Sequence, residues 1–327
     1  MPFHGHVDEA NQFALHGWLY CVSHPALVPS VDIVVNRRLI TRVLAGIFRH
    51  DLAAENFADG CRAFWFNPFE SLKLGPNVVE IFISGSDQLV PNGRHVVASE
   101  LSADRSQFAN SEERARLRWT QDEAEHSLTW GRVMTGDSFL DQVDRFFQFA
   151  PPVRILEIGP GYGRLLKTIL QRAYPFQEFL GLDLSKARVD RLTGEFGDHL
   201  TSFVEGACDS YRAPSPFDLV ISSATCEHLF PSIAATLTRI YESLKPGGMV
   251  FLDFICHDPD LAISRAYFEE NLGEAFIRIY SETELRMFFV EAGFEVLDIV
   301  YPMVTGLDIG LNEVKRALVA ARKPEVI

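Results

Sequence analysis

Val153-Arg154-Ile155-Leu156-Glu157-Ile158-Gly159-Pro160-Gly161-Tyr162-Gly163 is the stretch on which the fold turns. Its first six residues are largely apolar and read as a strand. Three glycines follow at every second position, and Leu165, Leu166, Ile169 and Leu170 then share one helical face. A strand running through a glycine loop into a helix is the place where doubly wound sheets bind ligands. Glycines allow a sharp turn and close backbone approach, and the helix start supplies unpaired N–H groups. The spacing is G-x-G-x-G, and Arg164 stands where a dinucleotide fingerprint needs Gly or Ala. Glu157, just ahead of the loop, suits an ammonium-bearing ligand better than a pyrophosphate.

Downstream the strand–helix rhythm continues, as in a parallel α/β sheet. Residues 179–182 form a second strand ending at Asp183, with Ser185 as a helix cap. Further strands are expected at 200–204, 217–222 and 249–254. A helix carrying Ile233, Leu237, Ile240, Tyr241 and Leu244 stops at Lys245-Pro246-Gly247-Gly248. Ser281 and Glu284 make a capping box ahead of Leu285, Phe288, Phe289 and Ala292, and strands at 294–301 and 314–321 close the chain.

Upstream, residues 104–150 read as a helical connector. Ser111 is a candidate N-cap for a charged helix, and Phe139, Val143, Phe146 and Phe147 recur at helical spacing before Pro151-Pro152. Residues 1–103 are different. Short strands at 13–20, 31–35, 40–44, 62–66, 78–83 and 95–98, broken by Gly, Pro and Asn, suggest a small β-sandwich; Asn36-Arg37-Arg38 reads as a hairpin turn.

Bulk properties limit the function. The 327 residues are 47% hydrophobic and 23% charged with a net charge of −14, which supports folded domains and disfavours a general nucleic-acid binder. No apolar run reaches the length of a membrane span, and the start lacks the pattern of a secretory signal. Five cysteines without a CxxC pair disfavour a disulfide framework and a zinc ribbon, so a reduced, cytoplasmic enzyme with no metal site is expected.

Taken together, Val153 to Gly163, Leu182-Asp183, Phe217-Asp218-Leu219-Val220-Ile221, Glu227-His228-Leu229, Leu244-Lys245-Pro246-Gly247-Gly248 and Ala292-Gly293-Phe294 resemble the class I S-adenosylmethionine-dependent methyltransferases over residues 152–323. The resemblance implies a Rossmann-like, seven-stranded sheet over 151–327 whose last strand runs antiparallel, with S-adenosyl-L-methionine as cofactor. The expected donor set is Glu157, Gly159, Pro160, Gly161, Tyr162, Gly163, Asp183, Leu184, Cys208, Asp209 and Ser223. Asp183 would accept bonds from the ribose hydroxyls. Asp209 would accept from the adenine amino group or serve only as a turn residue, and Tyr162 would cover the ligand or fill the loop. Where many family members have Gly-Asp-Ala, this chain has Gly206-Ala207-Cys208-Asp209.

Methyl transfer to a hydroxyl calls for a base, and His228 and His257 beyond the fourth and fifth strands are the candidates. A local capping role competes for His228.

Gly17-Trp18, Arg49-His50-Asp51-Leu52 and Ala63-Phe64-Trp65-Phe66 are similar to a β-sandwich module found beside bacterial glycosyltransferase and methyltransferase domains, with Ala63 in place of the usual Gly. This implies O-methylation of a sugar or glycan in surface polysaccharide or glycolipid assembly, with partner proteins of that assembly. The alternatives are N- or O-methylation of a small metabolite, or a non-catalytic glycan- or partner-binding protein with a relic fold. Trp18, Phe64 and Phe66 are equally expected as core residues.

Overall fold

Alternating apolar residues in the first hundred positions organise into eight strands forming two four-stranded antiparallel sheets. One sheet has the order β1-β2-β6-β5, from β1 (Phe3–Ala10), β2 (Leu15–Cys21), β6 (Cys61–Phe66) and β5 (Ile47–Phe48). The other runs β4-β3-β7-β8, from β4 (Arg38–Leu44), β3 (Ser30–Val35), β7 (Gly75–Ile83) and β8 (Leu89–Ser99). Val7, Leu15, Leu19 and Phe64 of the first sheet share one buried cluster with Val31, Ile33, Val79 and Ile81 of the second. Phe64 and Phe66 face this core, whereas Trp18 packs against Phe57 with ring centroids 4.8 Å apart. The β3–β4 hairpin turns on Asn36 and Arg37, both at positive φ, as a two-residue turn matching the strand twist requires.

The computed structural model describes residues 2–99, 105–120, 134–150, 153–257, 264–269, 275–307 and 313–325. The chain divides into two compact units, Met1–Ser111 and Glu112–Ile327. The first unit also carries a short helix, α1 (His50–Ala54), and helix α2 (Arg105–Thr120) contains the division. Ser111 lies inside this helix and is not its N-cap: the preceding Arg105-Ser106-Gln107-Phe108-Ala109-Asn110 holds no Gly or Pro to stop the helix from starting earlier.

In the second unit a seven-stranded sheet has the order β11-β10-β9-β12-β13-β17-β16. It is built from β9 (Arg154–Ile158), β10 (Glu178–Asp183), β11 (Thr201–Glu205), β12 (Phe217–Ser222), β13 (Leu244–His257), β16 (Glu295–Leu307) and β17 (Glu313–Arg322). β9 to β13 are parallel, and β17 runs antiparallel to both β13 and β16. The strand order reverses at the β9–β12 boundary, which opens a crevice at the C-terminal ends of these strands.

Helix α4 (Arg164–Gln171) buries Leu165, Leu166 and Ile169 against Ile155, Leu219 and Phe251, each such burial stabilising the fold by about 1.5–3 kcal/mol. Helix α3 (Gly136–Val143) adds Phe139, Leu140 and Val143 to the same core. The other helices are α5 (Lys186–Phe196), α6 (Ala234–Ser243) and α7 (Glu282–Glu291). Ser185 and Ser281 cap α5 and α7, accepting from Arg188 N–H and Glu284 N–H. The Glu284 carboxylate, however, pairs with the buried Arg278, so its side chain is used for tertiary anchoring.

Two further features depart from the sequence reading. Lys245-Pro246-Gly247-Gly248 is drawn into β13 as an irregularity: Phe217 pairs with Leu244 and Leu219 with Met249, with Gly247 at φ +76° absorbing the excess. A short hairpin, β14 (Arg265–Glu269) and β15 (Ala275–Ile279), stands between β13 and α7. Among the described residues no helix is long and apolar enough to cross a membrane.

Candidate active site

The crevice is a cavity of about 360 Å³, a size typical of small-molecule sites. Of the expected donor residues, Glu157, Gly159, Pro160, Gly161, Tyr162, Asp183, Leu184, Cys208, Asp209 and Ser223 line it; Gly163 lies just behind, as the N-cap of α4. Gly159 and Gly161 have φ of +65° and +57°. A Cβ on Gly159 would meet the Thr225 hydroxyl at 2.3 Å, whereas one on Gly161 would meet no described atom within 4 Å. The first glycine permits close packing, and the second leaves the loop open.

Glu157 is almost fully buried, and its Oε2 has no hydrogen-bond partner among the described residues. Burial pushes its carboxyl up to about 8, against the opposing pull of Arg164. Asp183 is also raised by burial, countered by the Ser185 N–H and Arg188. Its Oδ1 accepts from Ser185 N at 2.9 Å and its Oδ2 from Gly161 N at 3.3 Å, which ties the second strand to the glycine loop. Asp209 accepts from Arg116 at 2.6 Å through Oδ2, while Oδ1 is buried without a described partner. The Cys208 thiol lies 3.3 Å from the Thr236 hydroxyl, and burial raises it to about 11.

His228 sits in a 3-10 turn (Cys226–His228) after β12 and lines the cavity beside Trp119, ring centroids 4.3 Å apart. Its Nδ1 is 2.8 Å from the Phe276 carbonyl oxygen. A carbonyl only accepts, so Nδ1 carries the proton and Nε2 the lone pair. Burial lowers the ring's pKa and favours the neutral base. His257 is different. It is the last residue of β13, opposite Val314, completely buried, with its main-chain N donating to Tyr280 O at 3.0 Å. It is not among the described residues lining the cavity, because β13 runs three residues beyond its expected end and carries His257 into the sheet.

Behind the His228 turn lies a charge cluster absent from the sequence reading. Arg316 of β17 reaches Asp253 of β13 at 2.7 Å and Glu227 at 3.0 Å, all three almost fully buried. Burial alone would raise the Asp253 carboxyl, yet the Arg316 charge and hydrogen bond bring it below its usual value. Asp253 also accepts from Ser223 Oγ and Ala224 N–H, each at 2.7 Å. It thereby holds Ala224 at φ +58°, a conformation costly for a residue with a Cβ. The signal was an acid inside the apolar run Val250-Phe251-Leu252-Asp253-Phe254 and an arginine at the head of the apolar run Ala317-Leu318-Val319-Ala320-Ala321. Arg278 similarly donates to Pro231 O at 2.6 Å and supports the next stretch of cavity wall.

Residues 137–299 match the family described as a methyltransferase domain. The C-terminal half is a class I S-adenosylmethionine-dependent methyltransferase domain. Its cofactor is S-adenosyl-L-methionine. The domain is 30% identical over 122 residues to the highly reducing polyketide synthase verA of Penicillium polonicum, covering 35% of this chain and 5% of that one. It is 30% identical over 100 residues to the malonyl-[acyl-carrier protein] O-methyltransferase of Priestia megaterium, covering 31% and 36%. The chain thus spans well under half the length of either relative. Among solved structures, the 1,6-didemethyltoxoflavin-N1-methyltransferase of Burkholderia thailandensis aligns with TM-score 0.45 and 20% identity, over 68% of this chain and 87% of that one.

The methyltransferase domain offers groups that fit this cofactor. Glu157 Oε2 is an orphaned acceptor suited to an ammonium, Asp183 an acceptor suited to hydroxyls, and Asp209 Oδ1 an orphaned acceptor suited to an amino group.

Proposed function

We propose that this chain methylates a hydroxyl of a sugar or glycan, in the assembly of a surface polysaccharide or glycolipid. His228 is the observation that carries the hydroxyl half: a neutral imidazole, its tautomer fixed by Phe276, in the wall of the cavity. Bound S-adenosylmethionine supplies an electrophilic methyl on its sulfonium. Glu157 and Asp183 hold and orient the donor, and Trp119 packs on the imidazole. His228 Nε2 takes the acceptor's proton, which leaves the oxygen the stronger nucleophile. The sugar half rests on the likeness of residues 3–98 to modules beside bacterial glycosyltransferases. We assign residues 1–103 to that accessory domain and 104–150 to a connector. The five cysteines, none of them in a disulfide, favour a reducing, cytoplasmic setting.

A second reading, methylation of a small metabolite, is favoured by the apolar Leu229, Phe230 and Trp119 in the cavity wall. The relic reading is disfavoured by the orphaned acceptors, which a chain without a ligand has no reason to keep buried. A labelled-methyl transfer assay against nucleotide sugars, glycans and lipid-linked intermediates separates them. Label in a sugar ether supports the proposal, whereas label only in non-sugar metabolites establishes the second reading. No transfer to any acceptor, with no binding of S-adenosylhomocysteine, leaves the third.

A further inference from the structure

Among the described residues three arginines line the cavity, and two of them are hydrogen-bonded within the protein. Arg116 is bonded to Glu112 and Asp209, and Arg164 to the Met134 carbonyl and the Ser223 hydroxyl. Arg188 stands in the first turn of α5, its backbone N–H fixed by the Ser185 cap, and is 7% exposed. Its Nη1 lies 3.7 Å from Asp183 Oδ1, too far for a hydrogen bond. Its Nε and Nη2 are buried with no partner among the described residues. The rings of Trp119 and Tyr162 each lie 5.9 Å from the guanidinium carbon.

A guanidinium so placed is expensive unless something accepts its protons. The carboxylate beside it has the complementary need. Asp183 can only accept, so it deals with the hydrogens of a ribose diol and leaves the hydroxyl oxygens' lone pairs unmet once water is displaced. We propose that Arg188 is the second half of a diol-reading pair: it donates through Nε and Nη2 to a ribose hydroxyl oxygen of the adenosyl group while Asp183 accepts the hydroxyl hydrogens. The inference rests on the reading of Asp183 as the ribose partner. It adds a positively charged donor-site residue that the glycine-loop motif does not announce, and it makes the site specific for an intact ribose.

The test is calorimetric, on the full chain, with S-adenosylhomocysteine and its 2′-deoxy and 3′-deoxy analogues as probes. Wild type and Arg188→Met are each titrated with all three; every ratio is taken within one protein, so a change in folding stability cancels. Wild type is expected to disfavour at least one deoxy analogue by about tenfold to a hundredfold, and Arg188→Met to lose about tenfold of that discrimination, the size of a hydrogen bond to a charged group. Arg188→Lys, which keeps the charge without the fork, recovers part of it. Equal discrimination in wild type and Arg188→Met overturns the proposal. So does unchanged affinity for S-adenosylhomocysteine accompanied by a raised acceptor KM, which would assign Arg188 to the acceptor. Failure of wild type to bind S-adenosylhomocysteine at all is a different result and overturns the donor site itself.

Discussion

Along the glycine-loop side of the cavity, Glu157 Oε2, Asp209 Oδ1 and two nitrogens of Arg188 are buried without described partners, whereas behind the His228 turn Glu227, Asp253 and Arg316 close on one another. Each orphaned group costs about 1–3 kcal/mol until a ligand meets it. The paired cluster asks nothing of a ligand and instead fixes backbone, down to the left-handed Ala224. On the proposed function, the first region recognises the donor and the second holds the turn that carries His228. Fold stability and donor affinity should consequently respond most strongly to different residues.

The division is broken most directly at His228. His228→Ala is expected to lower kcat by about 10²–10⁴-fold while the Kd for S-adenosylhomocysteine stays unchanged. In wild type the acid limb of kcat/KM should fall below the ordinary histidine value, since burial lowers this pKa. A variant turning over at near wild-type rate would remove the base. Next in size is Arg316→Met, which leaves two buried carboxylates uncompensated. Denaturant unfolding should show a loss of about 3–5 kcal/mol, and a loss below about 1 kcal/mol would mean the cluster is not the anchor described. Asp183→Ala, which frees the Ser185 and Gly161 N–H groups, should cost about 1–3 kcal/mol in unfolding, less than Arg316→Met, and weaken S-adenosylhomocysteine by about tenfold to a hundredfold; lost stability with unchanged affinity would place Asp183 with the structural cluster.

The smallest effect is one of pH. Glu157 has its carboxyl raised to about 8, so it is mostly protonated at pH 6 and must lose that proton to meet an ammonium. Affinity for S-adenosylhomocysteine should therefore rise from pH 6 to pH 7.5, by somewhat less than tenfold per unit. The range stops there because the ligand's own amine begins to lose its proton near 8. Glu157→Gln should flatten the slope, and an unaltered slope would show that another group titrates.

The same two regions explain how much was legible in the sequence. The recognition side is local: a strand, three glycines and a capped helix lie within a few dozen residues, so Glu157, Gly161 and Asp183 could be placed by spacing. Arg188 was hidden there by its commonplace position in a helix's first turn. The anchoring side is assembled from residues far apart in the chain, Glu227, Asp253, Arg278 and Arg316, and no local period reports such pairings. His257 lies off the described cavity wall for a related reason. Strand ends are set by ladder partners, here Val314, and pairing with β17 carried β13 past its expected end at Phe254. The β14–β15 hairpin, whose Phe276 fixes the His228 tautomer, likewise became visible only in three dimensions.

On the proposed function, the glycine-loop side of this cavity is a site for an adenosyl donor bearing an ammonium. Calorimetric titration of the full chain with S-adenosylhomocysteine, set beside NADH, tests it most directly. The expected result is saturable one-to-one binding of S-adenosylhomocysteine, weakened in Glu157→Gln and Asp183→Ala, and no heat from NADH. Binding of NADH with none of S-adenosylhomocysteine would contradict it.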